Sequence, residues 1–238
     1  MFTLRKDNAE LLYVEGYLER IRPDLPKTIN DAIDLVKAIG ERYLWVDSLC
    51  LIKDNEGDIA LGVRLMSSVF KGSYFNIIAA SGTDANAGLW GLGLDTKEQM
   101  VQQSPEVEID LKTRLSKSEY SKRPWTLQEL TLSRRALIFV DNQVFFRRQV
   151  GSWDETSSID KLSSLVEGGT NEPRIGLPGP LDSVLPSLTA YVELFEEYSR
   201  RELRYDGDAI GDFYGLLRPL FGGMGTPSAE GLPAYCKA

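Results

Sequence analysis

The chain has 238 residues, 42% hydrophobic and 26% charged, the values of an ordinary globular protein long enough to bury a core without staples. Its 27 Lys and Arg against 35 Asp and Glu give a formal net charge of −8, which disfavours nucleic acid and anionic membranes as partners; no basic run exceeds a pair such as Arg147 and Arg148 or Arg200 and Arg201. Histidine is absent, which removes Ser-His-Asp and Cys-His catalysis, histidine acid–base chemistry and nearly all catalytic zinc sites, so no metal is expected.

In chain order, residues 28–40 are predicted to form a helix. Thr28 is its cap, Asp31 follows as a short capping-box partner, Ile29, Ala32, Ile33, Val36 and Ile39 lie on one face, and Gly40 ends it. The run Tyr43 to Asp47 reads as a buried strand ending in a carboxylate. After a polar loop from Lys53 to Gly57, Ile59, Val63, Met66 and Phe70 mark a second amphipathic helix that Gly72 can end. Tyr74 to Ala80 reads as a second strand. This αβαβ order predicts an α/β fold with a mostly parallel, helix-covered sheet, Val46 and Ile77 to Ala79 lying on adjacent strands.

The glycines Gly82, Gly88, Gly91 and Gly93 mark a surface loop. No GxxxxGK[ST] or GxGxxG occurs, so no phosphate cradle of that kind is indicated. Pro124 suits the first turn of a helix running to about Leu132. Leu137 to Val140 and Gln143 to Phe146 flank Asp141 and Asn142, a hairpin with a two-residue turn. Residues 151–180 read as a linker or long loop, and 181–238 as a helical extension. In that extension Leu181 to Arg204 is expected to be helical, with Val184, Leu188, Val192 and Phe195 on one face. Cys50 and Cys236 are far apart and in no CxxC spacing, which suggests a reducing compartment. No signal peptide precedes Arg5 and Lys6, and the apolar stretch Phe75 to Ala80 is too short to span a bilayer, so the expected location is cytoplasmic.

Three segments together resemble the fungal heterokaryon-incompatibility (HET) domain family. They are Leu25 to Ile33 leading into Tyr43 to Cys50; Met66 to Phe70 with Tyr74 and Ile77 to Ala80; and Arg123-Pro124-Trp125-Thr126-Leu127-Gln128-Glu129 followed by Leu132, Ser133 and the hairpin. The resemblance covers about residues 25–148, within a domain placed at 1–150. It implies a self/non-self recognition and programmed cell-death effector that works through protein partners or self-association. The family's usual opening strand, with its Ser-Tyr-x-Trp-Gly type motif, has no match here; Leu11 to Leu18 occupies that region, and Lys53 stands where the family has Gln.

The family's fold is similar to flavodoxin-like TIR domains, some of which cleave NAD with a helix-borne Glu. Ser121, Trp125 and Glu129 resemble that pattern, with Ser121 one place too early. The resemblance makes Glu129 a catalytic candidate, Trp125 a substrate-binding one, and NAD a substrate rather than a cofactor. Such an enzyme would be a NAD+ nucleosidase. No metal or general acid is needed, because a carboxylate facing the oxocarbenium-like state at the ribose can stabilise it. From the residues alone, Trp125 reads as a core anchor and Glu129 as a solvated helix residue; the resemblance sets the site reading level with that one. Asp47 and Ser48, at a strand's carboxyl end, are binding candidates or a turn cap. Cys50 reads as a small core residue, and Asp54, Glu56 and Asp58 as a solvated loop and helix start.

Overall fold

The computed structural model describes residues 2–90, 111–148, 151–154 and 188–201. They fall into two units, residues 1–66 with 81–105 and residues 67–80 with 106–238, and each contains a cluster of buried apolar side chains.

In the first unit, a 3-10 turn (Ala9–Tyr13) precedes helix α1 (Tyr17–Ile21), a second 3-10 turn (Arg22–Asp24), α2 (Lys27–Ala38), α3 (Asp47–Cys50) and the start of α4 (Glu56–Gly72). Ile21, Leu25 and Ile33 form the core, with Phe2, Leu12, Tyr17, Leu18, Ile29, Leu44 and Leu49 packed on it. Helix α2 buries Ala32, Ile33, Leu35 and Val36, and Gly40 at φ 79° ends it; Ile39 falls beyond the last turn and is exposed. The Arg22 guanidinium grips Asp34 with a fork of 2.8 and 2.7 Å and also donates to Asn30 Oδ1 at 3.1 Å. The Asn30 amide donates back to the carbonyls of Arg22 (2.9 Å) and Leu25 (3.1 Å), which fixes the corner leading into α2.

The expected cap on α2 is corrected. Pro26 takes the cap position, and Thr28 and Asp31 serve the glycine loop instead. Thr28 N–H donates to Ala85 O at 3.1 Å, Gly88 N–H to Thr28 Oγ1 at 3.1 Å, and Leu89 N–H to Asp31 Oδ2 at 2.7 Å. The loop is therefore anchored along its described residues; Gly91 and Gly93 lie outside them. The strand expected at Tyr43 to Asp47 is also corrected. Residues 41–46 carry no strand pairing, Asp47 opens α3, and Tyr43 is 86% exposed. The apolar run suggested burial on both faces, but only Leu44 reaches the core, so the segment has one dry side. Leu11 to Leu18 forms no strand either. Leu4 bonds instead to α3 and the residues after it, donating N–H to Ser48 O and accepting from Lys53 N–H, both at 2.8 Å.

The second unit takes the end of α4 from Ser67, then β1 (Asn76–Ala79), α5 (Leu111–Lys117), α6 (Glu119–Lys122), α7 (Trp125–Leu132), β2 (Arg135–Val140), β3 (Gln143–Arg148), β4 (Gly151–Asp154) and α8 (Leu188–Ser199). The sheet has the order β1-β2-β3-β4. Strands β1 and β2 are parallel, and the other two pairs are antiparallel, so the sheet is mixed rather than mostly parallel among the described residues. The parallel partner of Ile77 to Ala79 is Leu137 to Phe139, not the segment at Val46. The hairpin turn is as expected: Asp141 and Asn142 have φ of 47° and 60°, the two positive values of a type I′ turn. Ile78, Leu111, Leu115, Tyr120, Leu130, Ile138, Val140 and Phe145 lie in the core.

Along α4, Phe70 is buried, Ile59 and Met66 are half-buried and Val63 is exposed. Helix α8 turns a different face inward from the one expected. Leu194 and Tyr198 are buried while Val192 and Phe195 are exposed; Val184 lies outside the described residues. Strand β4 takes the first four residues of the segment read as a linker, and the rest of that segment lies outside the described residues.

The anchored loop makes Gly88 the sharpest stability test. Its φ is 78°, and a Cβ there would lie 2.6 Å from Asp31 Oδ2 and 2.7 Å from Lys27 Nζ. Gly88→Ala is expected to lower stability by about 1–3 kcal/mol in urea unfolding, through left-handed strain and displacement of the Asp31 contacts.

Candidate functional site

Helix α7 buries six of its residues: Thr126, Leu127, Gln128, Leu130, Thr131 and Leu132. A helix so enclosed must satisfy its polar groups from neighbouring protein, and the satisfaction here is dense. The Tyr120 hydroxyl donates to Thr126 O at 2.9 Å. The Thr126 hydroxyl shares its proton between Tyr120 O and Arg123 O, each at 2.6 Å. Arg201, just past α8, donates Nη1 to Arg123 O (2.8 Å) and to Thr126 Oγ1 (2.6 Å), and its Nη2 lies 3.7 Å from Glu197 Oε1. Arg147 on β3 donates to Leu130 O at 2.6 Å.

Trp125 and Glu129, one helical turn apart, are both half-buried. Glu129 and Glu197 are the acidic side chains beside this cluster. Burial, and next the charge of Glu129, push the Tyr120 hydroxyl well above its ordinary range. Burial pulls Arg201 below the usual guanidinium value, against the opposing charges of Glu197, Tyr120 and Glu129. Arg147 is lowered for the same first reason. Ser121 stands apart, donating to Ser118 O (2.8 Å) and Ser116 O (3.2 Å) as a local turn bond.

Asp47 and Ser48 belong to the first unit, so the four candidates form two pairs, one in each unit. Asp47 is exposed at the head of α3 and pairs with Lys53 Nζ at 3.1 Å; the lysine that departs from the family pattern is its counter-ion. Ser48 is buried, and its hydroxyl has no hydrogen-bond partner among the described residues. Cys50 is exposed rather than in the core; desolvation of its Sγ, which accepts Val46 N–H at 3.5 Å, raises its pKa and disfavours a thiolate nucleophile. Asp54 accepts Lys6 N–H (2.9 Å) and Asp58 accepts Ile52 N–H (2.6 Å), so these acids bond local backbone. Among the described residues no group of three acids or cysteines is placed to hold a metal ion.

Sequence reasoning missed Tyr120, Arg147 and Arg201. The signals were periodic. Arg147 follows Phe145 on the inward-facing alternation of β3, and Arg201 continues the stripe of Leu194 and Tyr198 at helical spacing. For Tyr120 the sign of pH dependence follows from its raised pKa. The unfolded phenol ionises near its ordinary 10.0 and the folded one higher. The stability it contributes is therefore fully present below pH 10.0 and is lost as pH rises beyond it. Tyr120→Phe is expected to flatten the alkaline branch of a stability–pH curve while lowering neutral stability by about 1–3 kcal/mol, because Thr126 O and Glu129 lose a donor.

The sequence profile of the family described as Heterokaryon incompatibility protein (HET) matches residues 5–129. The match begins upstream of the resemblance read from the sequence and ends at Glu129, before the hairpin. Comparison with curated proteins and with solved structures gives no match. No helix among the described residues is long and apolar enough to cross a membrane. Because the matched segment spans just over half of the chain and contains Asp47, Ser48, Trp125 and Glu129, this protein belongs to the heterokaryon-incompatibility (HET) family.

Proposed function

We propose that the chain is an incompatibility effector that acts by protein assembly, through copies of itself or a protein partner, with residues 1–150 as the recognition domain and 181–238 as its extension. The observation that carries this reading is the segment Arg42 to Val46. It carries no helix and no strand pairing among the described residues, ends on the extended backbone of Val46 (φ −135°, ψ 125°), and displays Tyr43 at 86% and Trp45 at 37% exposure. A segment without strand partners that bears exposed aromatics is suited to pair with a strand from another chain, its backbone supplying affinity and its aromatics contact area. Fungal self/non-self recognition ending in cell death, in the cytoplasm, is what family membership adds to this proposal. In sedimentation velocity, the parent chain is expected to gain mass with concentration, and Tyr43→Ser with Trp45→Ser to stay monomeric with an unchanged melting temperature. A parent that stays monomeric and captures no protein partner through this edge contradicts the reading.

A second reading, NAD cleavage by a TIR-like site, is favoured by one observation: Glu129 is half-buried beside half-buried Trp125 on one helix face. The parallel β1/β2 pair with its long crossover fits a flavodoxin-like relative. Against it, Glu129 is already engaged with the buried Tyr120 hydroxyl, which it holds protonated, and it adds to the charge of Glu197 facing Arg201. A carboxylate so committed offers less to a developing oxocarbenium ion. Nicotinamide release from NAD is therefore expected near background for both the parent and Glu129→Gln. Robust parental turnover abolished by Glu129→Gln would replace the first reading with the second.

A further inference from the structure

Strands β2 and β3 place Arg135 directly opposite Arg148, so both side chains leave the same face of the sheet. Like charges directly opposite in an antiparallel pair destabilise it. The repulsion arises in a chain that carries 35 acidic residues. No Asp or Glu among the described residues forms an ion pair with either arginine. Arg148 is exposed, and the Arg135 guanidinium lies 4.7 Å from the centroid of the Tyr74 ring, which is itself 66% exposed.

The corner is braced rather than loose. Asn76 Nδ2, at the start of β1, donates to Phe70 O at 3.0 Å and to Ser133 Oγ at 2.7 Å, tying the last turn of α4 to the turn before β2. Ser73 Oγ also donates to Phe70 O, at 3.0 Å. Arg134, exposed, follows Ser133 directly. Arg135 is thus held by a ring and a fixed strand register, with Arg148 opposite it in that register.

We infer that the Tyr74, Arg135 and Arg148 corner binds a phosphoryl group. Two permanently charged guanidinium forks match a phosphate dianion in both charge and bond geometry, each fork supplying paired N–H donors to two oxygens. A single carboxylate would neutralise only one of them. A bound dianion converts the cross-strand repulsion into a bridge, which accounts for two arginines in register where a mixed pair would be more stable. The Tyr74 ring orients the Arg135 plane by a cation–π contact. The site is independent of the assembly reading and of Glu129.

Calorimetric titration of the full chain with inorganic pyrophosphate, at ionic strength held constant with chloride, tests this. Binding is expected for the parent and is expected to weaken about tenfold or more in Arg135→Gln and in Arg148→Gln. Arg148→Glu supplies the second readout. It is expected to raise the anion-free melting temperature by creating an opposite-charge pair, while abolishing pyrophosphate binding. A merely structural arginine would not move stability and binding in opposite directions. ADP and free phosphoserine, titrated in parallel, separate the sources: tighter ADP assigns a nucleotide-borne phosphate, tighter phosphoserine a phosphorylated side chain. No pyrophosphate binding by the parent, or equal binding by Arg148→Glu, overturns the inference.

Discussion

The Arg201 guanidinium is buried at the α6–α7 corner, and taking a charge out of water is expensive unless it is bonded on arrival. Two short bonds, to Arg123 O and Thr126 Oγ1, meet part of that demand; Nε has no hydrogen-bond partner among the described residues. Glu197 and Glu129 supply the negative charge. Much in the second unit follows. Thr126 must face inward, so Tyr120 is drawn in with it and its hydroxyl takes Thr126 O. Arg147 then serves the carbonyl of Leu130, near the far end of the same helix. Breaking any one of these contacts leaves another buried polar group without its partner, which makes the cluster cooperative.

This dependence reaches beyond the segment matched by the family. The match ends at Glu129, yet β1 lies within it and takes its parallel partner β2 from outside, and α7 takes Arg147 and Arg201 from outside. The matched residues supply Glu129 and Trp125, and the following residues decide the surroundings in which Glu129 sits. A carboxylate chosen from the sequence pattern alone therefore says little about its availability.

Elements whose determinants are local were legible in the sequence. Asp141 and Asn142 tolerate positive φ and gave the hairpin; Gly40 gave the end of α2; Pro124 gave the start of α7. Burial was less legible, because it depends on what lies opposite. Tyr43 to Asp47 is apolar enough for a central strand, but no neighbouring strand flanks it among the described residues. In α8 the stripe through Val192 and Phe195 and the stripe through Leu194 and Tyr198 are both apolar, and periodicity could not choose between them. Of the candidate site, the Trp125 and Glu129 spacing was readable from i, i+4 geometry. The partners of Glu129 were not, since Tyr120 precedes it by nine positions and Arg201 follows it by 72, the differences of their residue numbers. Thr28 and Asp31 have the spacing of a helix cap and its capping-box partner, yet both bond to the loop at Ala85 to Leu89, a contact that no local pattern announces.

The proposed working surface of this chain is the unpaired segment from Arg42 to Val46 rather than the carboxylate at Glu129. Amide hydrogen exchange read by residue across a series of protein concentrations tests it most directly. Slowing of exchange at residues 42–46 as concentration rises, with residues 120–132 unchanged, is the predicted result. Exchange at 42–46 that stays fast at every concentration while the protein gains mass would contradict it, because assembly would then run through another surface.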